Sequence, residues 1–263
     1  MGVSGRSAGV AGPVQATAAV AAACRAEESR QPRPRLVDPY AAALTAGLDA
    51  AGQALLAGGR DEVVHRTLLV DALVGQAARR RPGLTVLNLG AGLCTRPYRL
   101  DLAGCREVVE VDAAAVLERK AAILRGARAT CPVRRVAADV RDLPALGAAA
   151  PVLVVTEGLL VYLEPADLAA LAATLAGLAG VVGWVTDVVS AESAAAMAQL
   201  ASRAGAGIGL TGLSTLDPIE RAGWTVTDYR VLPVTRAPRP AAPGSGPASA
   251  RVVDGVLALR PAG

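Results

Sequence analysis

Leu84-Thr85-Val86-Leu87-Asn88-Leu89-Gly90-Ala91-Gly92-Leu93-Cys94-Thr95-Arg96 decides the fold. An apolar, β-branched run feeds into two closely spaced glycines, which reads as a buried strand breaking into a tight turn. Glycine there permits positive φ and lets the backbone approach a ligand that a side chain would block. About twenty residues on, Val108-Val109-Glu110-Val111-Asp112 reads as a second strand ending in a carboxylate. A glycine turn followed by an acid at the next strand end suits an adenosine-like nucleoside, whose ribose hydroxyls donate to the acid.

The cofactor turns on one residue. The dinucleotide fingerprint has a third glycine, which brings the helix close and offers its N-terminus to a pyrophosphate. Thr95 stands there instead. A cofactor without phosphates has less need of that glycine, so S-adenosylmethionine is favoured over a nicotinamide dinucleotide.

Outward from this core, strands and helices alternate. Strands are expected at Thr85–Leu89, Glu107–Val111, Val133–Ala137, Val152–Thr156 and Val181–Asp187, with helices at about Ala113–Arg125, Pro165–Leu175 and Glu192–Arg203. That rhythm implies a parallel sheet covered on both faces. A short helix at Asp217–Ala222 precedes strands at Thr225–Leu232 and Arg251–Leu259, which lack a helix between them and should pair antiparallel. Upstream, a helix near Val14–Glu28 leads through the extended Gln31-Pro32-Arg33-Pro34-Arg35 linker to a helix started by Asp38-Pro39. Asp61 reads as the start of a further helix running to about Arg80. The expected fold is α/β: a Rossmann-like seven-stranded, mostly parallel sheet with a C-terminal antiparallel hairpin, plus N-terminal helices. Residues 1–34 are expected as an arm and helix, and residues 35–263 as the main domain. The Pro-, Ala-, Gly- and Ser-rich stretch 233–250 is expected as a mobile loop.

Composition narrows the function. The chain has 263 residues, 52% of them hydrophobic and 19% charged, enough for a sizeable core. Aromatics are 2% with no Phe, so platforms for stacking nucleic-acid bases are nearly absent. The net charge of +4 is spread over scattered arginines, so no nucleic-acid partner is expected. The four cysteines form no C-x-x-C pair and His65 is the sole histidine, which argues against a zinc site. Reduced thiols in a cytoplasmic protein are expected. No apolar run reaches the length of a membrane span. The first 24 residues are Ala-rich but lack a Leu-rich centre, and read as an arm and helix rather than a leader.

Ligands of open α/β sheets bind beyond the carboxyl ends of the strands. Four such ends carry Gly90 and Gly92, Asp112, Asp139 and Glu157. Any one could simply cap a turn or a helix; four on one edge are harder to explain that way.

These segments together resemble a known family. Asn88-Leu-Gly-Ala-Gly-Leu-Cys-Thr-Arg-Pro-Tyr-Arg-Leu100, Glu110-Val-Asp112 with Arg119-Lys120, Ala138-Asp-Val-Arg-Asp-Leu143 and Thr156-Glu-Gly-Leu-Leu-Val-Tyr-Leu163 are similar to motifs of the leucine carboxyl methyltransferase family. That family includes bacterial polyketide carboxyl O-methyltransferases. The resemblance spans roughly Arg35 to Asp187, including Arg35-Leu-Val-Asp-Pro-Tyr40 and the Arg66…Asp71 helix. It implies a class I S-adenosylmethionine-dependent O-methyltransferase of secondary-metabolite type that esterifies a small-molecule or peptide carboxylic acid. Carried over by position, Arg66 would grip the methionine carboxylate. Gly90 and Gly92 would lie under the cofactor, and Asp112 would bind the ribose. Asp139 and Val140 would flank the adenine, and Glu157 would face the amino group. The donor chemistry agrees: a carboxylate suits Arg, an ammonium suits Glu, a diol suits Asp. The family usually has Asp where Cys94 stands, and the segment between the fifth strand and Trp224, a lid region in the family, is short and rich in small residues here.

A carboxylate is ionised at neutral pH and needs no general base, which fits a chain with one histidine. Arg96, Arg99 and Tyr162 are candidates for steering an acidic acceptor, and His65 reads as structural. Three rival readings stand beside this one: phenol methylation at the same site, a nucleotide-dependent oxidoreductase, and a non-catalytic binding partner that keeps the fold.

Overall fold

The computed structural model describes residues 13–45, 50–147, 151–203, 205, 209–233 and 251–263. Seven strands form one sheet in the order β3-β2-β1-β4-β5-β7-β6. They are β1 Thr85–Leu89, β2 Glu107–Asp112, β3 Val133–Ala137, β4 Val152–Thr156, β5 Val181–Val188, β6 Trp224–Val231 and β7 Gly255–Pro261. β1 to β5 run parallel. β7 lies antiparallel between β5 and β6, so the expected mostly parallel sheet with an antiparallel hairpin is what forms.

All five residues of β1 are buried, because both faces of the sheet are covered. Alternation along the strand sorts its side chains. Val86 joins Val108, Leu153 and Val185 against Val70, Leu73 and Val74 of α3 (Ala50–Arg80). Leu87 and Leu89 join Val109, Val111 and Val154 on the other face, against Leu168, Leu171 and Leu175 of α6 (Pro165–Ala176). Trp184 and Trp224 meet edge to face there at 5.2 Å. Each indole finds an acceptor, Trp184 Nε1 donating to Thr156 Oγ1 and Trp224 Nε1 to the Ala172 carbonyl, both at 2.9 Å. α4 is the single turn Arg96–Arg99, and α5 (Ala114–Ile123) is pinned to β2 by Lys120, whose Nζ lies 2.6 Å from Glu110 Oε1 with both side chains fully buried.

Two boundaries differ from expectation by more than two residues, and several others by one or two. α3 begins at Ala50, not Asp61, and passes straight through Gly58 and Gly59. Two helical glycines cost about 1 kcal/mol each, and packing of α3 against α1 (Pro13–Ser29) offsets that cost. The helix expected after Asp38-Pro39 is α2, the single turn Ala41–Leu44, with Asp38 Oδ1 accepting the Tyr40 and Ala41 N–H groups, each at 3.1 Å. β7 begins at Gly255 rather than Arg251. The preceding Asp254 side chain instead accepts the Ser190 N–H at 2.7 Å. A Cβ on Gly255 would stand 2.5 Å from Tyr229 Cε2 and 2.8 Å from the Arg230 carbonyl oxygen, so the hairpin closes on glycine. Residues 1–12 of the expected arm and residues 234–250 of the expected mobile loop lie outside the described residues. Among the described residues no helix is long and apolar enough to cross a membrane.

Candidate active site

A cavity of about 1020 Å³ opens over the carboxyl ends of β1, β2 and β4, and all ten residues singled out from the sequence line it. The parallel register explains this convergence: Leu89, Val111 and Thr156 are aligned across the sheet, so the residues after them emerge at one edge.

The glycine loop forms one wall. Gly90 and Gly92 have φ of 61° and 45°. A Cβ on Gly90 would lie 3.0 Å from Leu159 Cδ1. The Ala91 N–H donates to the Val111 carbonyl at 3.0 Å, and the Gly92 N–H donates to Asp112 Oδ2 at 2.7 Å. Asp112 Oδ1 accepts the Ala113 N–H at 2.7 Å. The carboxylate is thereby fixed beside the loop with lone pairs to spare for a further donor. Thr95, in the place of a third glycine, is buried and donates to Asp38 Oδ2 at 2.6 Å. Arg25 of α1 reaches the same oxygen at 2.9 Å and donates to the Leu93 carbonyl at 2.7 Å. α1 is thus tied to the loop, and its Thr17, Ala18 and Val20 line the cavity.

A second wall is a chain of ion pairs. Arg66 Nε donates to Glu157 Oε1 and its Nη1 to Asp187 Oδ2, both at 3.2 Å. Arg96 pairs with the other oxygen of Glu157 and, through Nε, with Asp71 Oδ1 at 2.7 Å. Arg99 completes the chain on Asp71, donating to Oδ1 at 2.8 Å. Thr67 Oγ1 adds a hydrogen bond to Glu157 at 3.1 Å, and the Gly158 N–H one to Asp187 at 2.7 Å. Burial alone would raise the Glu157 carboxyl, but the Arg96 and Arg66 charges outweigh it and hold the group below the usual carboxylate range. At Asp187 burial wins over the pull of Arg66, and the carboxyl is raised.

The remaining residues sit around these walls. Asp139 is half exposed and gripped by Arg141, whose hydrogen bonds hold its carboxyl down to about 2. Val140 is partly buried against the core. Tyr162, on a 3₁₀ turn at Leu160–Tyr162, donates to Thr17 Oγ1 at 2.8 Å, joining this turn to α1. Cys94 Sγ lies 3.4 Å from Arg96 Nη1. His65 Nδ1 is 2.8 Å from the Asp61 carbonyl oxygen, within its own helix.

Sequence reasoning found the two walls but not what braces them. Asp187 had a visible signal, since it stands near the carboxyl end of a predicted strand like the others. Asp38 and Asp71 stand in segments that carry the family resemblance, but their partners, like those of Arg25, lie 13 to 68 residues away and left no local signal of the pairing. Among the described residues no group of three His, Cys, Asp or Glu side chains could hold a metal ion.

Comparison with known proteins agrees with this arrangement. A protein of Mycobacterium sp. (strain KMS), provisionally named an S-adenosyl-L-methionine-dependent methyltransferase, is 37% identical over 185 residues, covering 59% of this chain and 60% of the relative. The chain therefore spans about three fifths of the length of the curated relatives it matches. Among solved structures, a DUF574 family protein from Streptomyces avermitilis superimposes with a TM-score of 0.61 at 14% identity, covering 93% of this chain and 97% of the other. Magnesium protoporphyrin IX methyltransferase from Synechocystis PCC 6803, solved with bound SAM, gives a TM-score of 0.50 at 15% identity over 79% of this chain and 83% of the other. At such identities these likenesses speak to the fold, which is that of the Rossmann-like class I methyltransferases. The leucine carboxyl methyltransferase model matches residues 18–176, more than half of the sequence, and the chain belongs to that family.

Proposed function

We propose that this chain is an S-adenosylmethionine-dependent O-methyltransferase. The observation that carries the reading is the convergence of two groups of residues on one cavity. A positive-φ glycine loop with its fixed Asp112 carboxylate lines the same cavity as the paired Arg66 and Glu157. The residues fit the cofactor by their chemistry. Asp112 keeps acceptor capacity for ribose hydroxyls, and Gly90 leaves its backbone bare where a side chain would press on Leu159. Arg66 offers donors to a carboxylate and Glu157, ionised, offers acceptors to an ammonium. Asp139 and Val140 would border the adenine. When bound, S-adenosylmethionine supplies an electrophilic methyl group on a sulfonium. The protein's part is to hold an acceptor oxygen in line with that methyl and to exclude water.

The family's name supports a carboxylate acceptor. The arginines qualify that reading, because Arg96 and Arg99 are each closed on Asp71, and Arg96 on Glu157 as well. Incubation with tritiated S-adenosylmethionine and panels of carboxylic acids and phenols tests the function. Label transferred to an extractable ester or ether supports it; cofactor bound by the folded protein but never turned over defeats it.

A further inference from the structure

We infer that Glu62 is the general base of this site and that the methyl acceptor is a neutral hydroxyl compound, a phenol or an alcohol. The inference rests on the S-adenosylmethionine reading above and names its acceptor class.

Glu62 stands one helical turn before Arg66 on α3, so both face the cavity. Arg25, Arg66, Arg96 and Arg99, which also line it, each hold a carboxylate. Among the described residues no hydrogen bond or ion pair holds the Glu62 carboxylate. The charged groups that face it are Arg66 on its own helix, Asp187 near the end of β5 and Asp254 ahead of β7. Burial pushes the Glu62 carboxyl up, Arg66 pulls it back, and Asp254 and Asp187 push it further up. Such a group is a stronger proton acceptor than a solvated glutamate.

The same surroundings select the acceptor. An anionic acceptor would meet Glu62 and Asp254 on this wall. Among the described residues, the one cavity-lining arginine outside these pairs is Arg203, exposed at the end of α7 (Ala191–Arg203). A neutral hydroxyl escapes that repulsion. The cavity beyond is lined by Val20, Val161, Val189, Met197, Leu200 and Leu210, which suits an apolar ring or chain. A hydroxyl, unlike a carboxylate, keeps its proton at neutral pH. As the oxygen lone pair forms the C–O bond, the methyl C–S bond breaks with its electron pair left on sulfur, and the hydroxyl proton passes to Glu62 and then to solvent.

Calorimetric titration of a naphthol and the matching naphthoate into protein saturated with S-adenosylhomocysteine tests this, in wild type and Glu62→Gln. The naphthol should bind the wild type more tightly than the naphthoate. Glu62→Gln should weaken the naphthol about tenfold, the loss of a hydrogen bond to a charged acceptor, and leave the naphthoate equal or tighter. Naphthol methylation should rise with pH through the raised Glu62 carboxyl and fall by about 10² or more in the variant. Tighter binding of the naphthoate than of the naphthol to the wild type, unchanged naphthol affinity and rate in Glu62→Gln, or no naphthol binding would overturn the inference. Failure of S-adenosylhomocysteine itself to bind removes the cofactor reading first, and is seen before any acceptor is added.

Discussion

Glu157 and Asp187 share Arg66 from neighbouring strand ends, yet their carboxyls shift in opposite directions. Glu157 faces two guanidiniums and is held down, so it stabilises the fold above its ordinary value of 4.5, and that contribution is lost as pH falls through its lowered value. Glu157→Gln should therefore cost about 3–5 kcal/mol at neutral pH by leaving Arg66 and Arg96 short of a counter-charge. The gap from wild type should close in acid, as followed by denaturant melts across pH. Asp187 has the reverse sign: its raised carboxyl costs stability once pH exceeds the ordinary 3.8. Asp187→Asn can still accept the Gly158 N–H, and should stay within about 1 kcal/mol of wild type in the same melts at pH ~8. Gly90→Ala must hold a φ of 61° and displace Leu159. A loss of about 1–2 kcal/mol with weaker cofactor binding is expected, read by thermal melts with and without S-adenosylmethionine. At this scale the sequence disclosed which residues line the cavity, since strand ends can be read from local pattern. It did not disclose that Arg96 and Arg99 serve Asp71, because such pairing is a property of the folded contact and leaves no periodic trace.

The elements divide in the same way. The boundaries of β1, β3 and β4 were readable to the residue: β1 and β4 are short apolar runs that become fully buried parallel strands, whereas β3, with Arg134 and Arg135 inside it, is the partly buried edge strand. α3 was misread at its start because Gly58-Gly59 imitates a break. α3 as a whole packs against α1, a contact that the local pattern does not show. β7 was misread for a similar reason: the Asp254 side chain is claimed by Ser190, 64 residues earlier, and the strand begins after it. Two changes test how elements are joined. Asp38→Ala removes the counter-charge of buried Arg25 and the acceptor of Thr95, unfastening α1 from the glycine loop. It should cost about 3–5 kcal/mol and raise amide exchange in α1 and residues 91–95 together. Trp224→Ala empties the contact between β6, Trp184 and α6. It should lower stability by about 3–5 kcal/mol, with a matching fall in Tm.

For the whole molecule, the sheet order decides where chemistry can happen. With β1 between β2 and β4, the glycine loop, Asp112 and Glu157 leave adjacent strands at one edge. α1 and α3 then bring Arg25, Glu62 and Arg66 over that edge to enclose the cavity. The alternation of strands and helices made the parallel sheet legible, and the missing helix before the last strand made the hairpin legible. The insertion of β7 between β5 and β6 was not legible, since a two-strand hairpin can dock by either edge. The central claim is that this edge holds S-adenosylmethionine through Asp112. Calorimetric titration of S-adenosylmethionine, with NADH as control, into the wild type and Asp112→Ala tests it most directly. The account predicts micromolar binding of S-adenosylmethionine to the wild type, at least about tenfold weaker binding to the variant, and none of NADH to either. A folded wild type that ignores S-adenosylmethionine, or an Asp112→Ala protein that binds it as tightly, would contradict the account.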